Sequence, residues 1–230
     1  MGQLFEFLFR WSEVWPWVLP LAIFFICRVK DKSIRPLVWL SAISLILAFF
    51  AVYCQQYADQ VPPKWRDNTG VYNLLSIART IFFGYYLIRI PKMMQYRYPK
   101  YVLLFYIIGI AIYFLNLGTL KGFNNIVFTI ENFLLLVFCN TYFLGTIVDE
   151  DETLSISHPA FIVSAAMAVY GAINFFIYLF FYAIVAINMD IGILTMQVSK
   201  GTIIVLGLML AIAVYLQRNK KQQFNKLITT

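Results

Sequence analysis

Residues 123–148 read FNNIVFTIENFLLLVFCNTYFLGTIV. A membrane helix needs about 20 predominantly apolar residues, and this stretch is long and apolar enough to provide them. It also contains a carboxylate, Glu131, followed by the amide of Asn132. Hydrocarbon does not tolerate such groups unless they face other helices or a wet cavity. The stretch therefore predicts a central membrane helix whose carboxylate has a partner on a neighbouring helix.

The composition of the whole chain indicates the class of protein. Of its 230 residues, 61% are hydrophobic and only 13% are charged, and the mean hydropathy is +0.75. In soluble domains, charged residues alone make up about 25%. The apolar stretches use most of the length, which leaves no room for a soluble catalytic domain. We predict an all-α polytopic membrane protein that forms one domain over residues 1–230 in the lipid bilayer.

The alternation of apolar stretches with polar connections predicts a bundle of seven transmembrane helices. The connection over residues 59–70 is a clear example, because it combines Pro62 and Pro63 with the turn residues Asn68 and Gly70. The predicted spans cover about residues 14–29, 36–57, 71–90, 101–117, 123–148, 159–187 and 193–217.

The lysine and arginine residues predict the orientation of this bundle. Twelve of the 18 lie in the connections after the first and third spans and in the C-terminal tail, whereas five lie in the N-terminal tail and the alternate connections. Because basic residues accumulate on the cytoplasmic side, we predict that the N-terminus is outside and the C-terminus is cytoplasmic. The net charge of +7 has the same explanation, so nucleic acid is not a predicted partner.

A second charged residue, Arg79, lies well inside the third predicted span. The third and fifth spans both enter the membrane from outside, so the helix rise gives the depth of each charge. Arg79 is about 13 Å below Gly70, and Glu131 is about 13 Å below Gly122. We therefore predict that the two side chains pair, and Lys200 is the alternative partner of Glu131. Other polar residues predicted in the outer half, around the same pocket, are Asn73, Asn132, Asn174 and Lys200.

Two interpretations of this polar set stay open. Intramembrane charges commonly mark a functional site, which here would be an outward-facing ligand pocket. The same residues can instead form a structural network that holds the helices together. An acidic cluster has two interpretations as well, since it can dock a basic partner or form a solvated loop. That cluster consists of Asp149, Glu150, Asp151 and Glu152.

The sequence contains no pattern that indicates catalysis or metal binding. The single histidine, His158, has no second histidine or cysteine at ligand spacing, so a capping or surface role is predicted. The three cysteines lie in three different spans without CxxC spacing. HExxH, paired-aspartate and serine–lysine patterns are also missing from the sequence. We predict a protein that is not an enzyme and that uses no cofactor and no metal.

Several short motifs lie in the second half of the chain. They are Ile130-Glu131-Asn132 with Tyr142-Phe143, His158-Pro159-Ala160-Phe161 and Tyr170-Gly171. Over roughly residues 120–215 the chain resembles a poorly characterised group of small bacterial seven-helix proteins, which is similar to the input modules of sensor histidine kinases. The resemblance implies signal reception coupled to a separate partner. The chain departs from that group in the last span, where Gln197, Ser199 and Lys200 stand at positions that tend to hold a histidine and an asparagine.

The predicted function follows from these features together. We expect a non-enzymatic inner-membrane protein for signal reception or transmission, in the bacterial cytoplasmic membrane. It would have an outward-facing polar pocket and a cytoplasmic surface for a signalling partner such as a histidine kinase. The alternative is a small transporter or channel subunit. A transporter needs a hydrated route to both faces of the membrane, whereas a receptor needs only one opening.

Overall fold

A computed structural model describes residues 7–62, 68–116, 124–148 and 158–229 of the chain. In these residues the regular structure is helical throughout. The helices are α1 (Trp15–Ile26), α2 (Arg35–Gln56), α3 (Thr69–Ile88), α4 (Pro91–Met94), α5 (Tyr98–Asn116), α6 (Asn125–Val148), α7 (Pro159–Leu179), α8 (Phe181–Ile187) and α9 (Met189–Thr229).

Six of these helices, α2, α3, α5, α6, α7 and α9, are long and apolar enough to cross a membrane. The chain is therefore an integral membrane protein, as its composition predicts. The first predicted span, 14–29, is shorter than expected, since α1 has only 12 residues. A helix of that length rises about 18 Å, against a hydrocarbon core of about 30 Å. It ends at Ile26 because the chain turns at Arg28, which has a positive φ of 48°.

The predicted span 159–187 is divided in the structure. Helix α7 ends at Leu179, and α8 begins again at Phe181. Phe180 between them has φ −102° and ψ 7°, close to the sparsely populated bridge region. The backbone stays hydrogen-bonded across this break, since Phe180 donates to the Phe176 carbonyl and its own carbonyl accepts from Ile184. Because neither glycine nor proline marks the position, the sequence pattern did not predict the break.

The last helix begins at Met189, four residues before the predicted start at 193. Asn188 caps it, because its side-chain oxygen accepts hydrogen bonds from the backbone N–H groups of Asp190 at 2.8 Å and Ile191 at 3.4 Å. Asparagine is a favoured N-cap residue for this reason. Helix α9 then continues past the predicted end at 217 as far as Thr229.

Six elements form a closed ring. Helix α1 packs against α2, α2 against α3, α3 against α6, α6 against α7, α7 against α9, and α9 against α1 again. Helix α5 lies outside this ring against α3. The predicted central helix, α6, is thus a ring member, and its Glu131 and Asn132 are fully buried. Helices α1, α3, α6 and α9 run in one direction through the ring, and α2 and α7 run in the other.

Close backbone contacts hold the ring together at two glycines. A Cβ atom at Gly171 of α7 would lie 3.2 Å from the Asn132 carbonyl oxygen of α6. At Gly207 of α9, a Cβ atom would lie 2.5 Å from the Cβ atom of Pro16 in α1. Such approaches need residues without a side chain at the contact, which is how small residues serve membrane helix packing.

Candidate functional site

The predicted pair of Arg79 and Glu131 is confirmed. The Nε atom of Arg79 lies 2.7 Å from one carboxylate oxygen of Glu131, and its Nη2 atom lies 3.3 Å from the other. Both side chains are buried, and the guanidinium carbon lies 5.3 Å from the centre of the Tyr170 ring. A two-pronged arginine–carboxylate contact fixes geometry as well as charge. Helices α3, α6 and α7 are therefore joined at this level.

The spacing of polar residues in α3 explains why Arg79 points inward. Asn73, Ser76, Arg79 and Thr80 are separated by three, three and one positions, which places them on one face of a helix. All four side chains are buried. The predicted pocket residue Asn73 therefore shares the interior face of α3, although it does not line the cavity described below.

A second buried polar cluster joins α7 to α9 through the predicted residue Asn174. Its amide nitrogen donates to the Thr202 hydroxyl at 2.7 Å, and its oxygen accepts from the Ser199 hydroxyl at 2.5 Å. Ser199 also lies within 3.2 Å of the Tyr178 hydroxyl. By contrast, Asn132 donates to the Phe128 carbonyl one turn back in its own helix. Asn174 therefore connects two helices, whereas the side-chain amide of Asn132 bonds within α6.

The predicted site residue Lys200 pairs with Glu13, a carboxylate outside the predicted polar set. Its ammonium group lies 3.0 Å from Glu13, and the Tyr72 hydroxyl donates to the other oxygen of Glu13 at 2.7 Å. Glu13 is buried although it precedes α1. Its neighbours in the sequence include several tryptophans. Because this composition is typical of the membrane interface, the sequence does not indicate a buried carboxylate there.

These residues surround a cavity of about 360 Å³ at one end of the ring. That end, which we call the cavity end, is formed by the N-terminal ends of α1, α3, α6 and α9 and the C-terminal ends of α2 and α7. Ligand pockets commonly fall between about 300 and 1,000 Å³. The lining residues are Glu13, Trp17, Gln55, Asn68, Thr69, Tyr72, Leu75, Arg79, Phe128, Tyr178, Met196, Ser199, Lys200 and Ile203.

Below the level of Arg79 the described interior is mainly hydrophobic, although the hydroxyls of Ser41, Ser44 and Ser164 are also buried there. The next turns of α3, α6, α7 and α9 toward the opposite end contribute one continuous hydrophobic core. Arg79 therefore lies between the cavity and this core, with Glu131 beside it. The core residues at this level are Phe83, Leu87, Leu135, Phe138, Val163, Met167, Leu206 and Leu210.

Three further predictions concern His158, metal binding and the acidic cluster. The imidazole of His158 accepts a hydrogen bond from the Ala160 N–H at 3.2 Å, so its predicted capping role is confirmed. The described residues contain no group of three or more histidine, cysteine, aspartate or glutamate side chains that could hold a metal ion. The acidic cluster Asp149, Glu150, Asp151 and Glu152 lies outside the described residues.

Comparisons with protein-family models, with curated proteins and with solved structures found no match. The fold and the cavity nevertheless define a general class. The chain is a polytopic helical membrane protein in which a ring of helices encloses a charged and aromatic cavity at one end.

Proposed function

We propose that the chain is a receptor-like membrane protein, which binds a small ligand from outside and transmits its binding to a cytoplasmic partner. The observation that supports this most is the shape of the interior. A cavity lined by charged residues lies at one end of the ring, while Arg79, its partner Glu131 and a mainly hydrophobic core lie in the interior beyond it. A receptor needs an opening at only one face of the membrane, and this cavity can provide it. The sequence resemblance to input modules of sensor histidine kinases supports the same class of function.

The outward orientation of the cavity is part of this proposal. The cavity end carries the predicted outer connections, and the opposite end carries the segments that hold twelve of the 18 basic residues. Because such residues accumulate on the cytoplasmic side, we infer that the cavity opens outward. In a bacterium this would place the protein in the cytoplasmic membrane.

A seventh crossing by the segment around α1 is also part of the proposal. Glu13 contacts Lys200 at the cavity end of α9, and Asp31 accepts a hydrogen bond from Gln217 near the other end. The seventeen positions of α9 from 200 to 217 rise about 26 Å. The segment 13–31 therefore accompanies α9 over nearly the thickness of the hydrocarbon core, even though only its centre is helical.

Helix α9 is the proposed route of the signal. Met196, Ser199, Lys200 and Ile203 line the cavity, and the same helix continues beyond Arg218, where its candidate membrane span ends. A ligand that shifts the α9 contacts in the cavity would move the cytoplasmic end of a rigid helix. Such a shift requires that the ligand bind the two positions of α9 with different affinity.

One observation favours the alternative of a small transporter. The division of the chain into α7, α8 and α9 next to the cavity resembles the discontinuous helices of transporters. However, the discontinuous helices of transporters are interrupted near the bilayer midplane, whereas the break at Phe180 follows the C-terminal end of α7, at the cavity end of the ring. We therefore propose the receptor as the main function.

Side-specific labelling of single cysteines separates the two proposals. Met196→Cys in a chain with its three native cysteines replaced by alanine should react with a membrane-impermeant maleimide in intact cells but not in inverted vesicles. Val198→Cys is the matched control, because Val198 lies on the same helix, is 47% exposed and does not line the cavity. We expect its side chain to face lipid, where no water supports the reaction. Reaction of Met196→Cys from both sides would favour a transporter. Reaction from neither side, or from the cytoplasm alone, would contradict an outward-facing cavity.

A further inference from the structure

We infer that the cavity binds a zwitterion with an apolar body, such as an amino acid with a large apolar side chain. The ligand ammonium would lie against Glu13, and its carboxylate against Lys200. This inference rests on the proposed function because it concerns the same cavity. It adds the chemical class of the ligand.

The charges around the cavity favour a ligand without net charge. Arg79, Lys200 and Glu13 line the cavity, and Glu131 neutralises Arg79 from behind. These four side chains carry two positive and two negative charges. A purely cationic or anionic ligand would add an unbalanced charge to a site at membrane depth, where such charge is costly. A zwitterion leaves the balance unchanged.

The Glu13–Lys200 pair can accept both ends of a zwitterion without being broken. The carboxylate of Glu13 holds one contact on each oxygen, from Lys200 and Tyr72, and an ionised carboxylate has about four acceptor sites. The Lys200 ammonium has three donors, and its side chain remains 32% exposed. With respect to the described residues, the pair therefore presents an unused acceptor on Glu13 and an unused donor on Lys200 side by side.

The remaining cavity wall suits the body of such a ligand. Apolar contact is available from Leu75, Phe128 and Ile203, and the Phe128 ring stacks on Tyr178 at 4.8 Å between ring centres. The faces of aromatic rings also attract ammonium groups. The apolar and aromatic lining residues together are Trp17, Tyr72, Leu75, Phe128, Tyr178, Met196 and Ile203.

Three probes with the same phenyl group test the inference on the unmodified protein. Phenylalanine carries both charges, phenethylamine only the ammonium and 3-phenylpropionate only the carboxylate. Calorimetry in nanodiscs of phosphatidylglycerol should show phenylalanine binding about tenfold more tightly than either other probe, as expected for the loss of one charge-assisted contact. Equal binding of the three probes, or no binding of phenylalanine at millimolar concentration, would overturn the inference.

Two variants should change the order of affinity for the three probes, each in favour of a different singly charged probe. Glu13→Gln removes the acceptor charge, so 3-phenylpropionate should become the preferred probe. Lys200→Gln removes the donor charge, so phenethylamine should become preferred. Asp190→Asn is the control, because this exposed carboxylate begins α9 outside the cavity lining and should leave the order unchanged. An identical shift in Glu13→Gln and Asp190→Asn would contradict the assignment. If neither cavity variant folds, Tyr72→Phe keeps all charges and should weaken only the two probes that carry an ammonium.

A zwitterion can also come from the headgroup of phosphatidylethanolamine. If that lipid occupies the site, adding it to the nanodiscs should weaken phenylalanine binding, whereas a site for free amino acids should be unaffected. Either result supports a zwitterion site and identifies the source of the zwitterion.

The test of this inference can be distinguished from the test of the receptor proposal. If Met196→Cys is labelled only from outside but the protein does not prefer the zwitterionic probe, only this inference is contradicted. If the protein prefers the zwitterionic probe but Met196→Cys is labelled from both sides, only the receptor proposal is contradicted.

Discussion

Removing one member of the Arg79–Glu131 pair should destabilise the protein more than any other single substitution that we consider. Breaking a buried ion pair typically costs about 3–5 kcal/mol, because the remaining charge is left without a partner. The two single variants should differ. Glu131→Met leaves the Arg79 guanidinium, which cannot lose its proton and stays charged. Arg79→Met leaves the Glu131 carboxylate, which can bind a proton and become neutral. We therefore expect the larger loss from Glu131→Met.

The double variant Arg79→Met with Glu131→Met should recover most of the lost stability, because it removes both charges and keeps the side-chain volume. The measurement is the free energy of unfolding in mixed micelles for the wild type, both single variants and the double variant. Arg89→Met is a matched control, since this arginine just after α3 is exposed and contacts the exposed Tyr85 side chain, so its loss should change stability by no more than about 1 kcal/mol. A double variant as unstable as the sum of the single variants would show that the pair is not coupled.

Gly207→Ala should separate α1 from α9. The new Cβ atom would lie 2.5 Å from the Pro16 Cβ atom and 2.7 Å from the Pro16 carbonyl oxygen. Both neighbours belong to a rigid proline, so the backbone of α1 has to move. Forcing extra volume into a packed contact costs about 1–3 kcal/mol, which exceeds the gain of roughly 0.5–1 kcal/mol that alanine normally brings to a helix. The displaced segment includes the cavity residues Glu13 and Trp17.

Gly201→Ala provides the matched control for this prediction. It lies on the same helix, and its added Cβ atom would meet no atom within 4 Å. Gly201→Ala should therefore stabilise the protein slightly, while Gly207→Ala destabilises it and weakens binding in the cavity. Thermal unfolding and phenylalanine binding of the two variants give the comparison. Equal unfolding temperatures would mean that α1 does not approach α9 as closely as the structure describes.

The sequence was sufficient to predict the Arg79–Glu131 pair for a simple physical reason. Depth in a membrane follows from the rise of a helix, and few charges of opposite sign lie at the same depth. The hydrogen bonds of Asn174 with Ser199 and Thr202 could not be predicted in the same way, because depth in the membrane does not indicate which helices are neighbours. The order of the helices in the closed ring determines which helices are neighbours. That order depends on side-chain packing, which the hydrophobic pattern does not encode.

The cavity itself could be predicted only in part. Arg79 and Lys200 were among the predicted pocket residues, but the buried carboxylate Glu13 was not. Its burial depends on the tertiary contacts with Tyr72 and Lys200 rather than on its neighbours in sequence. The break at Phe180 was also missed, because the hydrogen bonds around it remain intact and no helix-breaking residue is present.

The orientation of the C-terminus tests most directly the central claim that the cavity opens outward. Helix α9 begins at the cavity end, so its C-terminus leaves the membrane at the opposite face. A fluorescent protein fused after Thr230 should fluoresce, and alkaline phosphatase fused there should be inactive, as expected for a cytoplasmic C-terminus. Phosphatase inserted after Gln60, in the connection at the cavity end, should be active. An active phosphatase after Thr230 with an inactive one after Gln60 would place the cavity on the cytoplasmic side and contradict the account.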